Sequence, residues 1–280
     1  MKKIFAMISL FMLLPTASAG FISSSINIDV DDPPAIPMDK SVTVNANITL
    51  SWGFGMIFPL PATIEVSAEN VPSWLTVSIS PDNFVITPSG FTGGEAGKNV
   101  EISFHAIRET TAFVGESITI RASTSGNFLL KSSEATHTIY AMEDFVDNGL
   151  TIEAPSGVNM YKGEETTLHF NVTNKCNAPV YLQIEEENVS GFTFSHENNF
   201  AIGSKERKDI SIKIKAEEAM EEKVKLKFIY YPPGHDEKKN YQEIEIPITS
   251  KTRGGGGSLA IGLVVVVVLL IIFGLWKRKR

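Results

Sequence analysis

The chain has 280 residues, with 25 basic and 32 acidic side chains, five histidines and one cysteine. Residues 20–253 hold every acidic side chain against 19 basic ones, a net charge of −13. So acidic a stretch repels phosphate backbones and shows no basic stripe with interleaved aromatics, which argues against nucleic acid as a partner. With only Cys176, the fold must be held by its core rather than by internal disulfides.

The chain opens on Lys2 and Lys3, an apolar run from Ile4 to Leu14, and the small residues Ala17-Ser18-Ala19. That three-part order predicts an export signal at 1–19, cut between Ala19 and Gly20. Next comes "DVDDPP", in which Asp29, Asp31 and Asp32 precede two stiff prolines. Three carboxylates are weak candidates for Ca²⁺, because a site needs six to eight oxygens and this stretch lacks an EF-hand loop. A solvated linker is the simpler reading.

Period-two alternation then dominates. Val42 to Trp52, Ile64 to Ala68, Leu75 to Ile79, Val100 to Ala106 and Ile118 to Ala122 each place apolar residues at every second position. Leu168 to Val172, Val180 to Ile184, Ile210 to Ala216, Val224 to Tyr230 and Ile244 to Ile248 repeat the pattern. One face of each strand therefore belongs to a core and the other to water. Strands at this spacing, broken by Gly, Pro, Asn and Ser, predict antiparallel sandwiches. The acidic stretch Glu217 to Glu222 reads as a turn between strands, and "PPGHDEKKN" (232–240) as a hairpin tip.

"WGFGMIFPLP" (52–61) departs from alternation. Phe54, Met56 and Phe58 are too apolar for an ordinary loop, with Ile57 and Leu60 beside them. Either a bulged strand edge packs back into the first domain, or the stretch is an exposed patch that contacts a partner or lipid. Asn47, Asn171 and Asn188 begin N-x-Ser/Thr sequons, acceptors for N-glycosylation in a host that glycosylates exported chains.

The two halves echo each other. "ENVPSWLTVSISPDNFVI" (69–86) aligns with "ENVSGFTFSHENNFAI" (187–202), "NVEISFHA" (99–106) with "DISIKIKA" (209–216), and "ANITLSW" (46–52) with "TTLHFNV" (166–172). The order is kept, which marks a duplicated supersecondary plan. The predicted class is all-β: two tandem Ig-like antiparallel β-sandwiches, at 20–148 and 149–251. "VPSWLTVSISPDNFVITP" and "KNVEISFHAIRETTAFVGESITIRAST" resemble the Ig-like domain found beside alpha-galactosidase modules and in many archaeal predicted membrane proteins. In the second copy Ser195-His196 replaces the Ser-Pro turn. The resemblance implies a scaffolding or binding module on a cell surface and carries no catalytic motif.

The C-terminal end reads as a Gly-rich hinge (252–258), a transmembrane helix from Leu259 to Trp276, and a basic cytoplasmic tail (277–280). Those eighteen residues hold no charge and as a helix span about 27 Å, close to the hydrocarbon thickness of a bilayer. Lys277 to Arg280 hold that end inside by the positive-inside bias, leaving the sandwiches outside the cell. Glycine run, apolar helix and basic cluster also resemble the bacterial GlyGly sorting signal, which implies a processed tail; a retained anchor is the reading preferred here.

No histidine pairs with another at ligand spacing, and no nucleophile elbow, phosphate loop or zinc motif occurs. The expectation is a non-enzymatic, cofactor-free surface protein that binds an envelope or membrane protein or acts as a spacer. Its rivals are an accessory ectodomain of an export or transport complex and a surface hydrolase or carbohydrate-binding protein.

Overall fold

Alternation turns into sheets whose neighbours follow one plan twice. The computed structural model describes residues 20–187 and 190–253. The predicted signal (1–19), the glycines, span and basic tail from 254 onward, and the sequon residue Asn188 lie outside the described residues. Among the described residues, no helix is long and apolar enough to cross a membrane.

The first unit is built from β1 (Ser24–Asp29), β2 (Ser41–Trp52), β3 (Ala62–Glu69), β4 (Leu75–Ser80), β5 (Asn83–Ile86), β6 (Gly94–Ala106), β7 (Glu116–Thr124) and β8 (Ser133–Ala141). They form two four-stranded sheets, ordered β1-β2-β6-β4 and β5-β3-β7-β8, with antiparallel pairing throughout. Ile48, Leu50, Ile102 and Phe104 of one sheet and Ile64, Ile118 and Ile120 of the other share one core and are fully buried. Each such side chain stabilises the fold by about 1.5–3 kcal/mol relative to exposure. Trp52 and Trp74 also sit in this core. The Trp74 Nε1–H donates to Glu116 Oε1 at 2.7 Å, which keeps its polar edge satisfied.

The second unit holds β9 (Leu150–Glu153), β10 (Val158–Tyr161), β11 (Glu165–Asn174), β12 (Val180–Glu187), β13 (Phe192–Ser195), β14 (Phe200–Ile202), β15 (Arg207–Ala216), β16 (Glu221–Tyr231) and β17 (Asn240–Lys251). Its sheets are β13-β15-β11-β9 and β10-β17-β16-β12-β14. Phe170 of one sheet meets Phe228 of the other with ring centroids 5.4 Å apart, which marks the sandwich interior. One pairing corrects the antiparallel expectation: β10 runs parallel to β17, because this short strand joins the outer edge of the last strand in the chain.

Strand for strand, β1-β2-β6-β4 matches β9-β11-β15-β13, and β5-β3-β7-β8 matches β14-β12-β16-β17. Even register is kept, since Leu75 opposes Ala106 as Phe192 opposes Ala216. The repeat read in the sequence is thus a repeat of topology, with β10 as an addition of the second copy. Compactness divides the chain after Asn148, and Cys176–Ala178 group with the first unit. There Cys176 is buried, with its Sγ 3.5 Å from Asp147 Oδ1.

Candidate functional site

One end of the first unit collects four segments: residues 20–23 before β1, the β2–β3 loop (53–61), the β5–β6 loop (87–93) and the β7–β8 loop (125–132). Hydrogen bonds tie them together. The Gly53 N–H donates to Ser23 O at 3.0 Å and the Gly55 N–H to Phe91 O at 2.8 Å. Ile22 pairs with Leu130 and Met56 with Gly90 as isolated bridges. The Asn127 amide reaches Leu60 O and Pro61 O, both at 3.3 Å, while its Oδ1 accepts from the Leu129 and Leu130 N–H groups. Trp52 Nε1–H donates to Ser89 O at 3.2 Å.

This frame fixes which apolar side chains face inward. Met56 is fully buried, whereas Phe54, Ile57 and Phe58 are 65%, 65% and 64% exposed. The reading of Met56 as a partner contact is therefore corrected: it belongs to the core. The cause is local. Gly55 adopts φ +109°, where an L side chain is strained, so the chain reverses between Phe54 and Met56 and sends the methionine inward. The two readings of this loop divide it between them, one residue packing back and its neighbours projecting out.

The structure adds three aromatic residues to that patch. Phe91 is 53% exposed and stacks edge-on against Phe54 with ring centroids 4.1 Å apart. Phe21 and Phe128 are each 79% exposed. Lys131 is the only charged residue in the four segments. A signal was available in the sequence, since Phe21, Phe54 and Phe91 each follow a glycine and Phe128 follows Gly-Asn. It is not sufficient, because Phe192 follows Gly191 and is buried.

The remaining candidates do not converge. Asp29 and Asp31 are exposed, and the Asp32 carboxylate accepts the Tyr140 N–H at 2.7 Å. Among the described residues no group of three acidic, His or Cys side chains could hold a metal ion. Asn47 is exposed on β2. Asn171 lies in β11 between β15 and β9, its amide donating to Asp209 Oδ1 at 2.8 Å while its own Oδ1 is buried without a partner. Gly20, at the predicted cut, is buried, and a Cβ there would fall 2.1 Å from the Leu130 carbonyl carbon.

Burial pushes the Glu143 carboxyl above the usual carboxylate range, against hydrogen bonds from the Thr110 N–H (2.6 Å) and the Asn177 amide (3.1 Å) to its Oε2. Its Oε1 is buried without a partner. The second unit presents Tyr181, Tyr231 and Tyr241 on one outward sheet face. The Lys239 Nζ lies 4.7 Å from the Tyr231 ring centroid and the Lys227 Nζ 4.5 Å from the Tyr241 ring centroid, cation–π contacts on two of the three rings.

No protein-family model matches the chain, and no curated protein matches it. Solved structures resemble it at low identity. A protein of unknown function from Porphyromonas gingivalis W83 is 12% identical, with 80% of this chain and 99% of that one covered and a TM-score of 0.32. Domains 4 and 5 of the S-layer protein SbsC are 11% identical, with coverage of 83% and 100% and a TM-score of 0.28. The YadV chaperone is 12% identical, with coverage of 79% and 99% and a TM-score of 0.27. At these TM-scores the likenesses carry no argument, and the sandwich assignment rests on the strand pairing itself.

Proposed function

We propose that the chain is an exported, non-enzymatic surface protein in which tandem Ig-like sandwiches, held by the single C-terminal span, present a binding end. The observation that carries this reading is the tip of the first unit, where six large apolar side chains project from four segments bearing one charge. Soluble surfaces seldom keep such a patch unless it contacts something. The sequence ends support the address: a signal-like start, and an apolar stretch closed by four basic residues.

The address is tested on intact cells with a membrane-impermeant maleimide. Thr76 is exposed on β4 and Cys176 is buried, so a Thr76→Cys variant offers one accessible thiol. Labelling of intact cells is the expected result. Labelling that requires permeabilisation would overturn the placement.

A further inference from the structure

We propose that the tip of the first unit docks on a lipid bilayer surface, with Phe21, Phe54, Ile57, Phe58, Phe91 and Phe128 seated at the boundary between headgroups and acyl chains. The inference rests on the reading of the chain as an exported surface protein and names what its binding end meets.

The scarcity of charge around the patch favours lipid over protein. Protein interfaces set a core enriched in Tyr, Trp, Phe, Met and Arg inside a polar rim. The tip offers five phenylalanines and an isoleucine, none with a polar atom in its side chain. A charge near hydrocarbon is costly, and Lys131 is the only one in 20–23, 53–61, 87–93 and 125–132.

The backbone fits the same setting. Unsatisfied N–H and C=O groups are penalised where water is scarce. Within the tip, Gly53, Gly55, Ile57 and Leu60 donate to carbonyls of the same segments at 2.8–3.0 Å. Leu129 and Leu130 donate to the Asn127 side chain, and Pro59 and Pro61 have no N–H to satisfy. Irregular loops of this kind do not enter the hydrocarbon core, so the seat is shallow, about 5–10 Å into the interface.

The second unit shows that the fold does not require an apolar tip. Its topologically equivalent loops 203–206 and 232–239 carry Lys205, Glu206, Asp236, Glu237, Lys238 and Lys239. Position in the chain points the same way. Residue 20 lies inside the tip, directly after the stretch whose apolar run Ile4 to Leu14 reads as an export signal. Export through that segment brings the tip to the outer bilayer face, whether or not the segment is then removed. Because residues 20–149 carry 15 acidic side chains against 5 basic ones, docking depends on apolar contact and not on anionic lipid.

The test uses the full chain, purified in mild detergent and reconstituted into phosphatidylcholine nanodiscs, with Phe58→Cys carrying an environment-sensitive fluorophore. Buried Cys176 stays unlabelled, and Thr76→Cys is the control site. Spin-labelled phosphatidylcholine, with the quencher near the top of the acyl chain, is placed either in the nanodisc or in added vesicles. The expected result is a blue shift and quenching at residue 58 in at least one of the two arms, indifferent to salt, with the residue 76 label unaffected. Adding F54S/F91S/F128S should weaken vesicle binding at least about tenfold, the equivalent of about 1.4 kcal/mol. Absence of quenching in both arms overturns the proposal. A blue shift that follows protein concentration instead of lipid overturns it in favour of a second copy, and a requirement for anionic lipid overturns it as well. Should the triple variant fail to fold, quenching of the single-site label still decides. Cell-surface labelling at residue 76 is read independently, so failure of the address and failure of lipid docking are distinguishable.

Discussion

Replacing Met56 by alanine and Phe58 by serine separates the two roles within one loop. Met56 is fully buried against the first core, so its truncation removes buried methylene and thioether contacts and leaves a cavity. Met→Ala changes at such sites cost about 2–5 kcal/mol. Phe58 is 64% exposed, and surface substitutions of this kind stay within about 0.5 kcal/mol. For a unit of this size each kcal/mol moves Tm by roughly 3–6 °C, so M56A should melt on the order of 10 °C lower while F58S melts within about 3 °C of the parent. Tryptophan fluorescence is the appropriate probe. Trp52 and Trp74 both lie in the first core, and the third tryptophan, Trp276, lies in the predicted span. Equal losses for the two variants would show that Phe58 packs as core. A melt unchanged by M56A would refute the inward turn of the loop at Gly55.

Glu143 makes stability depend on pH. Its carboxyl, raised by burial, favours the protonated form in the folded chain, so its contribution is fully present below the ordinary glutamate pKa and is lost as pH rises through the folded value. Glu143→Gln should therefore be more stable than the parent at pH 8 in a urea titration, with the gap closing near about pH 4; a constant gap would refute the assignment. Among the described sequons, a glycosylating host should modify Asn47 and leave Asn171 bare, because the Asn171 amide is engaged by Asp209 and its oxygen is buried. Peptide mass spectrometry reads both sites, and a glycan on Asn171 would contradict the pairing of β11.

How much was legible depended on how strongly each strand segregates its two faces. β2, β6, β15 and β16 bury long aliphatic or aromatic residues at every second position, so their period is written in the chain. β8 was missed because its inward face is Ala135, His137, Ile139 and Ala141, too small and polar to stand out. β9, β10, β13 and β14 are short, and tertiary pairing defines them more than any pattern of their own. In the tip, the excess of apolar residues at 52–61 was readable, but the direction of each side chain was not. Met56 turns inward through a bridge to Gly90, a partner far away in sequence. Phe91 and Phe128 were lone aromatics in glycine-bearing loops, and only the folded arrangement stacks Phe91 on Phe54 and ties the loop of Phe128 to Leu60 and Pro61 through Asn127.

The duplication supplies an internal control for separating what the fold demands from what a site adds. Core positions correspond between copies: Val100, Ile102, Phe104 and Ala106 in β6 answer Ile210, Ile212, Ile214 and Ala216 in β15, all buried. Volume and alternation are kept there because both copies must fill the space between two sheets. The loops at one end have no such shared constraint, and there the copies differ in kind. One set is nearly uncharged and rich in phenylalanine, and the other is short or charged. A hydrophobic loop that arose only to complete the sandwich would recur at the equivalent place in the second copy, yet 203–206 and 232–239 close the equivalent connections with lysine and carboxylates. The exposed phenylalanines of the first unit are therefore an addition to a fold that is complete without them, and their chemistry belongs to what that end of the molecule meets.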